Sequence, residues 1–549
     1  MRKTLPILAL IVLLSCQKEK EAESSTISDF QRFIESFNSS NTSTDIPDLS
    51  ATHFASELER TREQLESLAK IDTQQLSFED RIDWRFAHSI LKGREIRKAK
   101  HQTWKFDPRN YMSFRALGNS MERPGALSEK IEQLEMRLKA IPVQLENGQN
   151  QLEYYVPRFQ ELSLFMANNA KTLFDSDLMT FATASEESQK LIPLITKARE
   201  SLESFTLFID EELPKKPKRH FAMGKETYNR VLKSQFLLDY DDETLWKYGR
   251  EQFDKTVTEL EALATEIDPS KTWQELVTEI KNEYPEPDQM IAAHQLWVDS
   301  SKAHIISKDL IPIPWKEQVQ VVPRAEYLRK TSYYGNFSRA REKDKDSVFT
   351  AKWMINPFED QWDEKTKQEY LVEHDWGVII VTAPHEAYGG HHVQGLYQMH
   401  NPSLLRRQNG ISLFGEGWGL YNEQLMSETG FFPNKRIHLR QLQLRLWRNA
   451  RVVYDVGMHT GKMTYEEAIA MMTEKVGFLQ WAAQLEIDSA SERPGYFIGY
   501  FMGMSEILKM RSRFKEKMGA QYRLRDFHER LLKIGNMPPK LIETSLFRN

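Results

Sequence analysis

The stretch "TAPHEAYGGHHVQG", residues 382–395, decides how the rest of the chain is read. It begins as a zinc-protease helix does, with His385 followed by Glu386. In the common helical solution, H-E-x-x-H, two histidines four residues apart share one helix face and hold the metal, and the intervening Glu serves as general base. Here Gly389 stands where the second His belongs, and His391 and His392 follow late and side by side. On a straight helix His392, seven residues beyond His385, returns to nearly the same face at about 100° per residue. It lies about 10 Å along the axis rather than about 6 Å, a stretch for one shared metal. His391 is nearer along the axis and points away. The Gly389-Gly390 pair costs a helix roughly 2 kcal/mol relative to Ala-Ala. It also gives the backbone a place to bulge or tighten, as functional sites often do. Such a bulge can bring either His391 or His392 to a metal shared with His385.

A catalytic zinc takes three protein ligands from His and carboxylates and keeps one position open. The segment "FGEGWGLYNEQ", residues 414–424, supplies the carboxylates. Glu416 follows His392 by 24 residues, enough for a helix, a turn and a returning helix. Glu423 lies seven residues further on the same face, either orienting a ligand from behind or standing solvated on the surface. Glu386 is placed to act as general base on a metal-activated water.

At these residues the chain resembles the bacterial family catalogued as domain of unknown function 885 (DUF885), whose hallmark reads H-E-A-x-P-G-H-H-x-Q followed by E-G-W-x-x-Y-x-E. "HEAYGGHHVQ" and "EGWGLYNE" match it nearly letter for letter, with Gly389 in place of the usual Pro. The segment "RVVYDVGMHTGKMTYEEAI" also resembles the family pattern and brings in Arg451, Asp455 and His459. Aligned from Pro494-Gly495, the family Tyr falls on Tyr500 and the family Arg on Arg511, while Ser489 and Ala490 replace its usual Arg-Tyr pair. The family is similar in turn to the helical gluzincin peptidases, in which the second His and the Glu ligand are also 24 residues apart. That resemblance implies His385, His392 and Glu416 as Zn2+ ligands, with His391 as the alternative. It implies Tyr500 as the donor to the oxyanion, and Arg451 and Arg511 as groups able to hold a substrate carboxylate. The expected function is a zinc-dependent peptidase acting on a peptide or small amide. A metal-dependent hydrolase of a non-peptide amide or ester would use the same residues, and a non-catalytic peptide-binding lipoprotein would need only the cleft.

The rest of the chain fits a large helical enzyme. Its 549 residues are 40% hydrophobic and 28% charged, a globular composition. With 74 basic against 79 acidic residues it has no basic footprint for nucleic acid. Residues 1–16, "MRKTLPILALIVLLSC", read as a signal peptide ending in "LLSC", which resembles a lipobox. Cys16 is the only Cys, so lipidation there leaves no thiol for a metal. Gln17 after it favours the outer membrane, with the lipid as membrane anchor. Residues 17–28 read as a polar tether, 29–215 as an N-terminal helical region and 216–549 as a helical catalytic region. "LSEKIEQLEMRLKAI" spaces Leu127, Ile131, Leu134, Leu138 and Ile141 as a helix that Pro142 interrupts. The segment 241–268 opens with Asp residues suited to capping. Strand signals are few, the best of them at 311–323 and 347–356, just before the opening motif. The predicted fold class is mainly α, a gluzincin-like metallopeptidase fold with a small β element beside the active-site cleft.

Overall fold

A computed structural model describes residues 29–37, 46–112, 114–122, 125–324, 335–341 and 348–548. The expected signal peptide, the tether and Cys16 lie outside the described residues. Among those described, no helix is long and apolar enough to cross a membrane.

The protein is mainly α with one small sheet. The helices used below are α1 (Phe78–Ile96), α2 (Leu127–Gln151), α3 (Ile192–Leu207), α4 (Asp242–Ile267) and α5 (Met290–Ser307). The strands β1 (Glu317–Pro323), β2 (Asn336–Ser338) and β3 (Phe349–Ile355) follow. After them come α6 (Trp376–Glu386), α7 (His391–Met399), α8 (Ser412–Glu428), α9 (Lys435–Thr460), α10 (Gln480–Glu492) and α11 (Ile498–Met518).

Local chemistry sets several of these boundaries. Asp241 and Thr244 form a reciprocal capping box that starts α4. Pro142 does not end α2, which runs on to Gln151. A mid-helix proline removes one hydrogen bond, and the buried Leu134, Leu138, Ile141 and Leu145 hold the helix on either side of it. Leu127, the first member of the apolar series, is left exposed.

Apolar side chains sort into two large clusters. The smaller is built between Tyr111 and Leu213, largely from α2 and α3. The larger joins Phe30–Phe106, including α1, to the helices beyond Phe221. The helices of 29–215 thus serve two cores.

The sheet has the order β1-β3-β2, with β1 and β3 parallel and β2 antiparallel to β3. Period-two alternation turns Val319, Val321, Ala351 and Trp353 inward. Strand β1 is shorter than the segment 311–323 because residues 311–316 lie outside the ladder, and β3 covers 349–355 of the segment 347–356. Strand β2 carries only three residues, too few for a periodic signal. The far edge of β1 is covered by α5, whose Gln295 donates to the Val319 carbonyl (3.2 Å) and accepts from the Val321 amide (2.8 Å).

Helix α6, which carries the histidine motif, is fastened at its start. Asp375 caps it through the Val378 amide (3.0 Å) and forms a buried ion pair with Arg440 of α9 (2.7 Å).

Candidate metal centre

The opening motif does not form one bulged helix. Helix α6 stops at Glu386, residues 387–390 turn, and α7 starts at His391. Ala387 leaves the helical region (φ −107°, ψ −106°), Gly389 is left-handed (φ +96°), and Gly390 is extended on its ψ side (−134°). Only glycine fits at 390, since a Cβ there would lie 1.8 Å from the His385 carbonyl oxygen. A proline at 389 cannot adopt the observed φ. Two side chains of α8 hold the break. The Trp418 indole donates to the Gly389 carbonyl (2.5 Å), and the Asn422 amide donates to the Pro384 carbonyl (2.8 Å).

This break resets the helical phase. It brings His385, His391 and Glu416 together, with one donor atom of each within 4.8 Å of the others. Glu416 Oε2 lies 3.9 Å from His385 Nε2 and 3.4 Å from His391 Nε2. The two imidazole rings stand perpendicular, 4.9 Å apart. His392 does not join them, contrary to the expectation from the 24-residue spacing. Its Nε2 shares a 2.7 Å hydrogen bond with Glu317 Oε2 at the start of β1, and the side chain is fully buried. His391, the alternative, takes the place beside His385 because α7 begins anew at that residue.

The glycines of "GEGWG" let α8 carry Glu416 into this position. At Gly417 a Cβ would meet Gly503 Cα of α11 at 2.4 Å, so the two helices cross backbone to backbone. At Gly419 a Cβ would lie 2.6 Å from His385 Cε1, so the missing side chain makes room for the imidazole. Glu423, fully buried, hydrogen-bonds His385 Nδ1 at 2.8 Å, and Arg448 approaches the same carboxylate at 3.6 Å. That bond occupies Nδ1 and leaves the Nε2 lone pair facing Glu416.

Burial alone raises the Glu416 carboxyl, but the hydrogen bond and charge of His391, with His385 and the Tyr496 hydroxyl, outweigh it. They hold Glu416 well below the usual carboxylate range. Burial works against a protonated His391, and Glu416 and Glu386 overcome it, so that its pKa rises. Glu386, the last residue of α6, is half-buried, and its charge acts on both His391 and Arg339.

The tyrosine that touches the cluster is Tyr496, whose hydroxyl donates to Glu416 Oε1 at 2.7 Å. Tyr500 sits behind it on α11, with ring centroids 6.1 Å apart. Burial, then the Glu416 charge, pushes the Tyr500 hydroxyl well above its ordinary pKa, so it keeps its proton. Sequence reading singled out Tyr500 and passed over Tyr496. The signal lay in "YFIGY", two tyrosines four residues apart, the first in the turn before α11 and the second in its first turn.

The remaining candidates serve the frame. Arg451 is buried in an ion pair with Glu486 (2.7 Å), which also accepts from Tyr454 (2.6 Å) and Trp447 (2.8 Å). It is therefore not open to a substrate carboxylate. Arg511 bonds Glu428 (2.7 Å) and the Tyr421 hydroxyl (3.1 Å), about three turns along α11 from Tyr500. Asp455 accepts from the Gly495 and Phe497 amides (2.8 and 3.1 Å) and from Tyr228 (2.9 Å). His459 bonds the Ala490 carbonyl (3.0 Å). Asp455 thus pins the turn that leads into α11, and His459 holds the last turn of α10 before it. Burial pushes Asp455 up to about 6 and pulls His459 down to about 4.

Two arginines near the cluster escaped the sequence reading. Arg339, just after β2, donates to Gln398 of α7 (3.1 Å) and packs where Gly395 has no side chain. Arg493 stacks its guanidinium over Tyr496, 4.7 Å from the ring centroid.

Fold and site together define a mainly helical protein with a His-His-Glu cluster braced by a buried carboxylate. The chain belongs to the family described as "Bacterial protein of unknown function (DUF885)", whose model matches residues 36–546. Two solved structures have the same fold. One is described as "a putative lipoprotein of unknown function from Shewanella oneidensis"; it is 18% identical with a TM-score of 0.78, over 96% of this chain and 99% of that one. The other is "the putative lipoprotein from Colwellia psychrerythraea", 16% identical with a TM-score of 0.75, over 96% and 98%. No curated protein matches the chain.

Proposed function

We propose that the protein is a zinc-dependent hydrolase that cleaves peptide bonds. The observation that carries this reading is the convergence of His385 Nε2, His391 Nε2 and a Glu416 oxygen within 4.8 Å, beside Glu386. The donor set fits the ion. Two imidazoles and a carboxylate are a catalytic zinc set, and His385, His391 and Glu416, with the imidazole nitrogens 3.9 and 3.4 Å from one carboxylate oxygen, would hold the ion. Zinc bound there supplies Lewis acidity toward the scissile carbonyl and the attacking water.

The protein's own groups do the rest. Glu423 fixes the tautomer of His385. Tyr496 orients Glu416 through its second oxygen. Glu386 takes the proton of the attacking water and passes it to the leaving amine. Tyr500, held protonated, donates to the oxyanion. The likeness of the two motifs to helical gluzincins supports the same reading. The "LLSC" segment and the descriptions of the two solved relatives support a lipoprotein of the cell envelope, anchored through Cys16 in the outer membrane.

The test is zinc content and peptide hydrolysis of purified protein beside Glu386→Gln. Stoichiometric zinc in both, with hydrolysis reduced by about 100-fold or more in the variant, supports the reading. Absence of metal after gentle purification, together with equal activity in the two proteins, sinks it.

A further inference from the structure

Three arginines of residues 29–215 reach one short segment of the second half of the chain, the end of α10 and the turn after it. Arg158 makes two 2.7 Å bonds to the two oxygens of Asp488. Arg109 pairs with Glu492, the last residue of α10, and is held from its other side by Asp107 (2.8 Å). Arg97 donates through both terminal nitrogens to the Pro494 carbonyl, at 3.2 Å each, and through one of them to Gln235 Oε1 (3.2 Å). It opens a π-helical stretch, residues 97–101, that continues α1, a distortion frequent at functional sites.

Arg97 acts two residues from Tyr496. Pro494 and Gly495 are buried, and a buried peptide group needs a partner at each end. Arg97 takes the oxygen of the Pro494–Gly495 peptide, and Asp455 of α9 takes its N–H (2.8 Å). The other oxygen of Asp455 accepts from the Phe497 amide (3.1 Å), on the far side of Tyr496. The backbone is thus fixed both before and after Tyr496, and Gly495 within that grip takes a left-handed φ of +80°. From this turn the Tyr496 hydroxyl reaches Glu416 Oε1 (2.7 Å), while Oε2 of the same carboxylate faces His391 and His385. A site of this kind tolerates displacements of only about 0.5 Å. Arginines that merely joined two halves of the molecule could attach anywhere along α10. Arg97 attaches to the peptide that aims Tyr496.

We propose that Arg97 is a positioning residue for the metal centre: with Asp455 it clamps the Pro494–Gly495 peptide and so sets Tyr496 on Glu416, while Arg109 and Arg158 hold the approach to that turn. The proposal deepens the zinc reading and rests on it for the ion, but the link from Arg97 to Tyr496 is testable without metal and without cleavage.

The experiment is a double-variant cycle in the full-length protein: wild type, Arg97→Met, Tyr496→Phe and the two combined, with Arg97→Lys beside them. Thermal midpoint is measured on each, and zinc affinity is read by competition with a chelator. Tyr496→Phe should weaken zinc by about tenfold or more in the wild-type background. In the Arg97→Met background, where the hydroxyl has already left Glu416, it should weaken zinc by less than about twofold. Arg97→Lys, which keeps a cation and a donor for the one carbonyl oxygen, should recover most of the loss. Wild-type zinc affinity in Arg97→Met overturns the proposal, and so does an equal effect of Tyr496→Phe in both backgrounds. Should Arg97→Met fail to fold, Asp455→Asn takes its place in the cycle, with the same two outcomes. If zinc binds and no peptide is hydrolysed, the peptidase reading falls and the zinc cycle still decides the clamp. If no zinc binds, the hydrolase reading falls and the cycle is read on urea unfolding of the metal-free protein. There Tyr496→Phe should cost stability in the wild-type background and none beside Arg97→Met, and equal costs in both overturn the clamp.

Discussion

His391 and His392 are neighbours in the chain and belong to different regions of the molecule. His391 faces the cleft, with its Nε2 3.4 Å from a Glu416 oxygen that His385 also approaches. His392 faces the sheet, with its Nε2 on Glu317 Oε2. Glu317 also accepts from Tyr388 (2.8 Å) and pairs with Lys302 of α5 (2.6 Å). Burial raises the Glu317 carboxyl, and the bonds from His392, Lys302 and Tyr388 bring it below its ordinary pKa. On the sheet side the Glu317 carboxylate itself is satisfied by three direct, short partners, while His392 Nδ1 has none among the described residues. In the cleft, two imidazole nitrogens converge on one oxygen at distances that leave space between them. A carboxylate satisfied by its own neighbours holds a fold, while a convergent open cluster is shaped for an ion or a ligand. Helical phase alone separates the two, since successive residues lie about 100° apart and α7 starts at the first of the pair.

The sharpest way to break this comparison is to remove each histidine in turn. His391→Ala should lower zinc affinity by about 3 kcal/mol or more, roughly a quarter of the binding energy of a four-ligand site. His392→Gln should keep zinc and lose folding stability instead. Competition with a chromophoric chelator and urea unfolding measure the two effects, and the reverse pattern would reinstate His392 as the ligand. Next in size is Gly390→Ala, which drives a Cβ into the His385 carbonyl and must part α6 from α7. It should destabilise by about 3 kcal/mol. Gly430→Ala is the contrast, at a positive φ (+79°) that Gly390 lacks but with nothing within 4 Å of a Cβ. It should cost about 1 kcal/mol. Equal costs at the two positions would mean that the turn does not depend on close approach. Glu423→Gln comes third. It weakens the acceptor behind His385 and should reduce zinc affinity by about 10–100-fold with little change in stability.

The sequence carried some of this plainly and some not at all. The helical series of α2 and α4, the inward alternation of β3, and Glu416 and Glu423 on one helical face are periodic patterns, and periodicity survives folding. Reading Glu423 as either a brace or a solvated carboxylate needed only burial to decide it, and the residue is fully buried. What periodicity cannot carry is a change of phase. The preference for His392 comes from the 24-residue spacing to Glu416 that the resemblance implies, and such a count does not hold the phase at which a helix restarts after the turn at 387–390. The partners that sort the two histidines are also remote in sequence. Glu317 lies 75 residues before His392, and Tyr496 lies 80 residues after Glu416. Arg339 and Arg493 have no motif, and only the folded chain sets them beside the cluster.

The smallest effect distinguishes cleft histidines from core histidines by pH. Burial holds His101 and His294 down to about 3, and His459 and His528 down to about 4, so all four stay neutral in the folded protein. Between about pH 4.5 and 6 the unfolded chain protonates them and the folded chain does not, so stability falls as pH falls, by about 1.4 kcal/mol per pH unit for each group. Asp455, raised to about 6, is the opposite case, because folding favours its protonated form and it offsets one of the four. Replacing one core histidine, as in His294→Phe, should flatten the slope by about 1.4 kcal/mol per pH unit. An unchanged slope in urea titrations at pH 5 and 6 would mean that His294 is not held neutral. His391 has the other sign. Glu416 raises its pKa in the metal-free protein, so its contribution is complete below the ordinary histidine value and is lost as pH rises through the raised one. His391→Ala, measured without metal, should therefore remove a loss of stability on the alkaline side of pH 6.5 and leave the acid side as it was.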